Sequence, residues 1–200
     1  TLARPWAVPG TAGLEHRLGT LEKAAESGHV SYDPENHHQM SLLRQKKVEA
    51  VAARLPTQEV FGERKGELAV VGWGSTYGAI RSAVEQAQRD GLSVSHVHLR
   101  HLRPFPRDLG EILAGFDRVL VPELNLGQLK MLLRAELLID VEGYNRVTGQ
   151  PLTIAEVETQ IHERCRPGRG ESDEPRATAA APTPVRAPLQ EVVDAERSAS

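Results

Sequence analysis

The apolar positions of the chain form short runs that alternate with helical stretches between residues 67 and 165. Two runs, at residues 68–71 and 118–121, have the length of buried strands, and residues 94–99 alternate in polarity, which predicts a further strand. Helical stretches occupy residues 76–89, 108–113 and 126–138, and a capping-box pattern, Thr153 with Glu156, begins a last helix. Strands that alternate with helices at this spacing predict a parallel sheet covered on both faces. The sequence therefore predicts an α/β domain with three α/β/α layers and a mostly parallel open sheet.

The segments that flank this domain have different patterns. Residues 1–32 begin with a stretch rich in proline and glycine, which predicts a long loop. Asp33 suits a helix N-cap and Pro34 the first helical position, and Pro56 stops the helix. Apolar residues at helical spacing predict one stripe of an amphipathic helix at Met40, Leu43, Val48, Val51 and Leu55.

Four units follow from these patterns. We expect residues 1–56 to form a loop and a helix, residues 57–66 to be a polar linker, and residues 67–165 to be the compact domain. Residues 166–200 are rich in Pro, Ala, Arg, Glu and Ser and have few large apolar side chains. Such a composition buries too little surface to offset the entropy of ordering, and it predicts a disordered tail.

Composition excludes several classes of function. The net charge is −3, which gives no reason to expect a nucleic-acid partner. No apolar run approaches the length of a membrane span and no secretory signal is recognisable, so we expect no membrane partner and a cytoplasmic location. The single cysteine, Cys165, excludes both an internal disulfide and a cysteine-ligated iron–sulfur cluster. The chain begins at Thr1, which we interpret as a fragment that lacks its upstream part.

A glycine-rich turn is the first candidate for chemistry. The run from Gly72 through Gly74 to Gly78 follows a predicted strand and opens a helix, where backbone N–H groups could bind phosphate. Its spacing, Gly-x-Gly-x-x-x-Gly, only approximates the dinucleotide fingerprint, and no acidic residue ends the second strand. The favoured alternative is that the glycines permit a tight turn and close helix packing.

Two further groups of polar residues lie in predicted loops. The stretch after the second strand contains Arg100, Arg103 and Arg107, which could contact an anion such as a coenzyme A phosphate, or could simply be a solvated basic loop. Glu15 and His16 could line a site in the N-terminal loop. We predict no metal site at His29, His37 and His38. We identify no catalytic residues, because no nucleophile lies at a suitable spacing from a base.

The order of several motifs resembles known thiamin enzymes. Three runs are similar to the transketolase C-terminal-like domain: Ala69-Val70-Val71-Gly72-Trp73-Gly74-Ser75, Leu102-Arg103-Pro104-Phe105-Pro106 and Val121-Pro122-Glu123-Leu124-Asn125-Leu126-Gly127-Gln128-Leu129. Three other motifs are similar to alpha subunits of 2-oxoacid:ferredoxin oxidoreductases: Thr11-x-Gly13-Leu14-Glu15-His16, Asp33-Pro34-Glu35-Asn36 with Met40 and Arg44-x-x-Lys47, and Tyr144-Asn145-x-Val147-x-Gly149-x-Pro151-Leu152. Among these enzymes, the resemblance favours the 2-oxoglutarate type, which has two subunits.

This resemblance implies a thiamin-diphosphate enzyme that decarboxylates a 2-oxoacid, with 2-oxoglutarate as the expected substrate, reduces ferredoxin and releases an acyl-coenzyme A. Residues 1–56 would be the end of its pyrimidine-binding domain. It implies thiamin diphosphate, magnesium and a 4Fe-4S cluster in the complete complex, with none of them held by this chain alone, and a beta subunit as partner. The chain itself would be inactive alone, with loop or interface positions at Glu15, His16, Asn125, Gly127 and Gln128.

Two alternatives remain open from the sequence. The same domain occurs in other thiamin enzymes, such as transketolase or the beta subunit of oxoacid dehydrogenases. A non-enzymatic alternative is a regulatory module that binds a nucleotide at the turn from Gly72 to Gly78.

Overall fold

A computed structural model describes Leu2, Arg4, residues 7–17, Gly19 and residues 21–165. The disordered tail predicted for residues 166–200 lies outside the described residues. The strands are β1 (Val60–Phe61), β2 (Gly66–Trp73), β3 (Val94–Leu99), β4 (Phe116–Glu123) and β5 (Glu142–Asn145). The α-helices are α1 (Pro34–Glu49), α2 (Tyr77–Arg89), α3 (Leu109–Ala114), α4 (Gln128–Leu137) and α5 (Ile154–Arg164).

The five strands form one sheet in the order β1-β3-β2-β4-β5. The pairs of β2 with β3, β2 with β4, and β4 with β5 are parallel, and β1 pairs with β3 in the antiparallel direction. The central strands are almost continuously apolar because both of their faces are covered. The prediction of a mostly parallel open sheet is therefore confirmed.

Two clusters of buried side chains lie on opposite faces of the sheet. On one face, Ile80 and Val84 of α2 and Val157 of α5 pack on Leu68 and Leu120. The other face belongs to α3 and α4, whose apolar residues include Leu109, Leu113, Leu129 and Leu133. Helices on both faces confirm the predicted three-layer arrangement.

Two edge strands were not predicted. β1 lies within residues 57–66, which the sequence indicated as a linker, and it has only two residues. It is held in place by Gln58, whose backbone N–H donates to the Asp108 carboxylate (3.0 Å) and whose side-chain amide donates to the His98 carbonyl (2.9 Å). β5 is short and partly exposed, so its sequence lacks the apolar run that marks a buried strand.

The N-terminal helix begins where it was predicted but packs less than its stripe suggested. The Asp33 side chain accepts a hydrogen bond from the Glu35 N–H, and Pro34 is the first helical residue. The helix continues as a 3₁₀ turn, Ala50–Arg54, and ends before Pro56. None of its residues is buried against the described part of the chain, and the side chains of Val48 and Val51 are 42% and 45% exposed.

Polar contacts tie the preceding segment to α1. The Glu22 carboxylate accepts hydrogen bonds from Arg44 (3.1 Å) and contacts His37 (2.7 Å), and these partners lower its pKa to about 2. The Asn36 side chain bonds the backbone at Lys23 and Ala25. Two residues of the motif around Asp33, namely Asn36 and Arg44, thus fix the local fold.

Gly72 is required by the close approach of α2 to the sheet. A Cβ at this position would lie 2.5 Å from Ile80 Cδ1 and 3.0 Å from Thr76 Oγ1, whereas a Cβ on Gly78 would meet nothing within 4 Å. We expect Gly72→Ala to lower the free energy of unfolding by about 1–3 kcal/mol through overpacking. The matched variant Gly78→Ala should raise it by about 0.5–1 kcal/mol, since alanine favours a helix. Urea unfolding measures both, and equal midpoints for the two variants would contradict the packing role of Gly72.

Candidate functional site

The carboxyl ends of β2 and β4 enclose a crevice at the point where the strand order reverses. From β2 the chain crosses to β3 on one side, and then returns to β4 on the other side. Ligands and partners of open α/β sheets meet the protein at such switch points. The crevice has a volume of about 240 Å³ and is lined by Trp73, Gly74, Ser75, Thr76, Leu124 and Asn125.

The first wall of the crevice is the turn after β2. Gly74 has a φ of +58°, which favours glycine, and the 3₁₀ turn Gly74–Thr76 leads directly into α2. The Thr76 hydroxyl donates to the Trp73 carbonyl (2.9 Å) and accepts from the Trp73 N–H (3.2 Å). Together with the tight fit at Gly72, this geometry supports the reading that the glycines serve a tight turn and close packing.

The second wall is the loop between β4 and α4, which its own side chains hold in shape. The Asn125 Oδ1 accepts from the N–H groups of Gly127 (2.7 Å) and Gln128 (3.2 Å). The Glu123 carboxylate, which has no exposed surface, accepts from Leu129 N–H (2.9 Å) and Lys130 N–H (3.0 Å). These bonds use the amides that a helix N-terminus would otherwise offer to a phosphate.

The loop presents one apolar side chain outward. Leu126 is 78% exposed and lies between Asn125, whose carbonyl accepts from the Asn145 amide (3.1 Å), and Gly127, whose φ is +94°. Gln128 is also exposed. Both ends of this turn are fixed, so the Leu126 side chain cannot fold back onto the core. It stays on the surface, where it can contact another protein.

Sequence reasoning predicted loop or interface positions at Asn125, Gly127 and Gln128 and gave Glu123, which stands in the same motif, no role. The signal was present: an acidic residue directly after an apolar strand and just before a helix is well placed to bind the amides of that helix. The structure brings Glu123 and Asn125 together at one helix terminus, where each side chain accepts two backbone hydrogen bonds.

Other residues singled out from the sequence lie elsewhere. Glu15 and His16 are exposed in the N-terminal segment, where His16 Nδ1 lies 2.8 Å from the Leu14 carbonyl, and neither lines the crevice. Their role as site-lining residues stays a prediction.

The three arginines after β3 lie in different parts of the structure. Arg100 lines a second cavity on the face of the sheet that α2 covers. Arg103 forms an ion pair with Glu136 of α4, which lies on the opposite face. Arg107 is exposed. A shared contact of all three with one anion also stays a prediction.

In the described ranges, no group of three or more His, Cys, Asp or Glu side chains is arranged to hold a metal ion. None of the described helices combines the length and apolar character needed to cross a bilayer.

Cys165 is expected to be chemically inert in the folded protein. Its side chain is fully buried, and burial together with the nearby Glu67 charge raises the pKa of the thiol to about 12. The thiolate is the reactive form, so little of it exists near pH 8. Ellman's reagent should therefore modify Cys165 only after unfolding in urea. Stoichiometric reaction of the native protein within seconds would contradict this expectation.

The buried carboxylate at the crevice gives a second test. Glu123→Gln places an amide donor against a backbone donor, and we expect it to lower the free energy of unfolding by about 1–3 kcal/mol. Glu136→Gln is the matched control, because that carboxylate is exposed and its ion pair is worth at most about 1 kcal/mol. Urea unfolding monitored by circular dichroism compares the two. Equal losses would show that Glu123 does not stabilise the loop.

Known proteins share this arrangement. The family described as pyruvate:ferredoxin oxidoreductase core domain II matches residues 66–157. The 2-oxoglutarate oxidoreductase subunit KorA of Mycobacterium tuberculosis is 48% identical over 158 residues, which are 78% of this chain and 24% of that protein. The subunit alpha of 2-oxoacid:ferredoxin oxidoreductase 2 of Aeropyrum pernix is 34% identical over 151 residues, 72% of this chain and 22% of that protein.

A solved structure agrees with these relatives. The 2-oxoglutarate:ferredoxin oxidoreductase from Magnetococcus marinus, solved with 2-oxoglutarate, coenzyme A and succinyl-CoA bound, superposes with a TM-score of 0.72 at 32% identity. The match covers 80% of this chain and 28% of that one. The chain thus spans about a quarter of the length of the relatives it matches. Over these residues, the chain belongs to the family of 2-oxoacid:ferredoxin oxidoreductase alpha subunits, of which it represents a part.

Proposed function

We propose that this chain acts as part of the alpha subunit of a thiamin-diphosphate-dependent oxidoreductase that converts 2-oxoglutarate to succinyl-coenzyme A and CO₂ and reduces ferredoxin. The identity of 48% with a 2-oxoglutarate oxidoreductase subunit supports the choice of 2-oxoacid. The Magnetococcus marinus enzyme, which holds 2-oxoglutarate, coenzyme A and succinyl-CoA, supports it as well.

Within that enzyme, we propose that the domain at residues 67–165 provides a subunit contact and not the reacting groups. The observation that carries this proposal is the loop between β4 and α4. The side chains of Glu123 and Asn125 are engaged with backbone amides of the loop, and the exposed Leu126 is the part of the loop that faces outward. A rigid turn that displays an apolar residue suits the centre of a protein contact.

The cofactors of such an enzyme do not fit this chain on its own. A 4Fe-4S cluster needs several thiolates and the chain has a single cysteine, whose side chain is buried in the core. We therefore propose that the beta subunit carries the cluster, and that thiamin diphosphate and magnesium are held outside residues 67–165. No step of the reaction is assigned to the residues of this chain.

We further propose that residues 1–56 complete the pyrimidine-binding domain of the alpha subunit. The exposed Val48 of α1 and Val51 of the 3₁₀ turn that follows it support this assignment, since an apolar helix face needs a surface to cover it. The chain spans only about a quarter of its relatives, so the remainder of an alpha subunit is available to provide that surface.

Co-expression tests the proposed activity. The alpha subunit that contains this chain should co-purify with a beta subunit, and the complex should reduce methyl viologen or ferredoxin when 2-oxoglutarate and coenzyme A are both supplied. Pyruvate and 2-oxoisovalerate serve as the competing substrates. A complex that is inactive with every 2-oxoacid would refute the proposed reaction, and faster reduction with another 2-oxoacid would refute the proposed substrate.

A single substitution tests the proposed contact. Leu126→Asp should weaken association of the subunits at least about tenfold, because it places a charge in an apolar contact without touching the core. Leu138→Asp is the control: Leu138 is also an exposed leucine, but it lies at the other end of α4. Sedimentation of the co-expressed complex measures both. Unchanged association of Leu126→Asp, with native circular dichroism, would exclude this loop from the interface.

A further inference from the structure

A lysine at the carboxyl edge of the sheet is partly buried and has no polar partner for its charge. Lys130 lies in the first turn of α4 and is only partly accessible to solvent. Its Nζ forms neither an ion pair nor a hydrogen bond with the residues that the structure describes. Lysine side chains are seldom buried unless they are paired, so this ammonium group calls for an explanation.

Two glycines make room for the stem of this side chain. A Cβ on Gly143 of β5 would lie 2.9 Å from Lys130 Cδ and 3.3 Å from its Nζ, and a Cβ on Gly127 would lie 3.3 Å from its Cε. Glycine weakens a strand, and within one it often marks a place where another group approaches closely. The Lys130 side chain therefore lies across β5, with its ammonium group next to Gly143.

The place of this lysine in its helix is unfavourable for a positive charge. Gly127 is the N-cap of α4, so Lys130 is the third helical residue, and the first turn contains no acidic side chain. That turn normally favours an acidic residue, because its N–H groups carry partial positive charge. A residue that breaks a local rule without a visible gain inside the domain is often explained by function.

The buried carboxylate of Glu123 offers one explanation inside the domain, since it accepts from the backbone N–H of Lys130 (3.0 Å). Its other hydrogen bond comes from the N–H of Leu129 (2.9 Å), so both bonds are made by the backbone. The ammonium group forms no ion pair with Glu123 and extends towards β5, where it lies beside Gly143. Its charge is therefore available to a group outside the described chain.

The ammonium group lies beside the loop that carries Leu126. The Asn145 side chain, which also lies next to Gly143, donates to the Asn125 carbonyl (3.1 Å). An outward apolar residue with a charge at its side has the pattern of a protein contact, in which an apolar centre is surrounded by a polar rim. Neither of the two cavities described above includes Lys130, so a protein surface suits this position better than a small ligand.

We propose that Lys130 pairs with a carboxylate side chain of the beta subunit, at the edge of the contact centred on Leu126. This inference rests on the subunit contact proposed above and names the chemistry of the partner surface: an aspartate or a glutamate next to an apolar patch. A charge pair at the rim of an interface contributes to orientation and to the association rate. Because the lysine stem is already held across β5, less entropy is lost when the pair forms.

Zero-length cross-linking tests the pair directly. A carbodiimide activates a carboxylate and joins it to an amine as an amide, so it links only groups that are already in contact. In the co-expressed complex of alpha and beta subunits, mass spectrometry should find Lys130 joined to an aspartate or a glutamate of the beta subunit. Lys65 is the control, because it is an exposed lysine that precedes β2 at the opposite, amino edge of the sheet. It should give no link to the beta subunit.

A matched pair of substitutions measures the effect of the charge. Lys130→Met removes the charge and keeps an unbranched stem, so it should weaken association of the subunits about three- to tenfold at about 0.1 M salt. The difference should shrink at about 1 M salt, where charges are screened over about 3 Å. Lys65→Met should leave association unchanged at both salt concentrations. Sedimentation measures association, and urea unfolding should show that Lys130→Met does not lower the free energy of unfolding.

Three results would overturn the inference. Lys130 could be linked only within the alpha subunit, or to nothing. Lys130→Met could weaken association no more than Lys65→Met does. Lys130→Met could lower the free energy of unfolding, which would show that the charge offsets Glu123 within the domain. If Leu126→Asp weakens association in the same assay and Lys130→Met does not, the subunit contact stands and only its charged partner is refuted.

Discussion

The carboxylate of Glu123 is fully buried, and the geometry of the carboxyl edge of the sheet depends on how that charge is accommodated. A buried anion is costly unless it is hydrogen-bonded, and here two backbone N–H groups of α4 meet its two oxygen atoms. The positive end of the helix dipole adds to this stabilisation. The same bonds fix the start of α4 relative to β4, so the position of Leu126 and the shape of the crevice follow from one side chain.

The loop at the crevice completes its own hydrogen bonds. At the crevice, Asn125 and Glu123 satisfy the helix amides internally, which leaves an apolar residue to face outward. A surface with its hydrogen bonds completed is suited to contact another protein. The proposed subunit contact therefore follows from the hydrogen bonds of this loop.

The central strands and the helix caps could be predicted from the sequence, because their signals are local. β2 and β4 follow from apolar runs, β3 follows from alternating polarity, and the Thr153–Glu156 capping box is present as expected. The edge strands β1 and β5 could not, since one has two residues and the other is polar, and both depend on a neighbouring strand. The burial of His96 was not predicted either, because α2, a separate element, covers it. The alternation of His96 and His98 in an apolar strand was the available signal, because it places two imidazoles on a buried face.

The N-terminal segment shows how local order can precede assembly. Glu22 holds Arg44 and His37, and its lowered pKa means that these bonds favour the folded form above the usual pKa of 4.5 and are lost as the pH falls towards 2. At neutral pH the segment before α1 is thus tied to the helix through polar contacts. The apolar residues Val48 and Val51 remain exposed, because nothing in the described chain covers them. The polar bonds can fix the shape of this segment, while burial of its apolar stripe must come from outside the described residues. The helix would then dock as a preformed unit, which lowers the entropy cost of forming that contact.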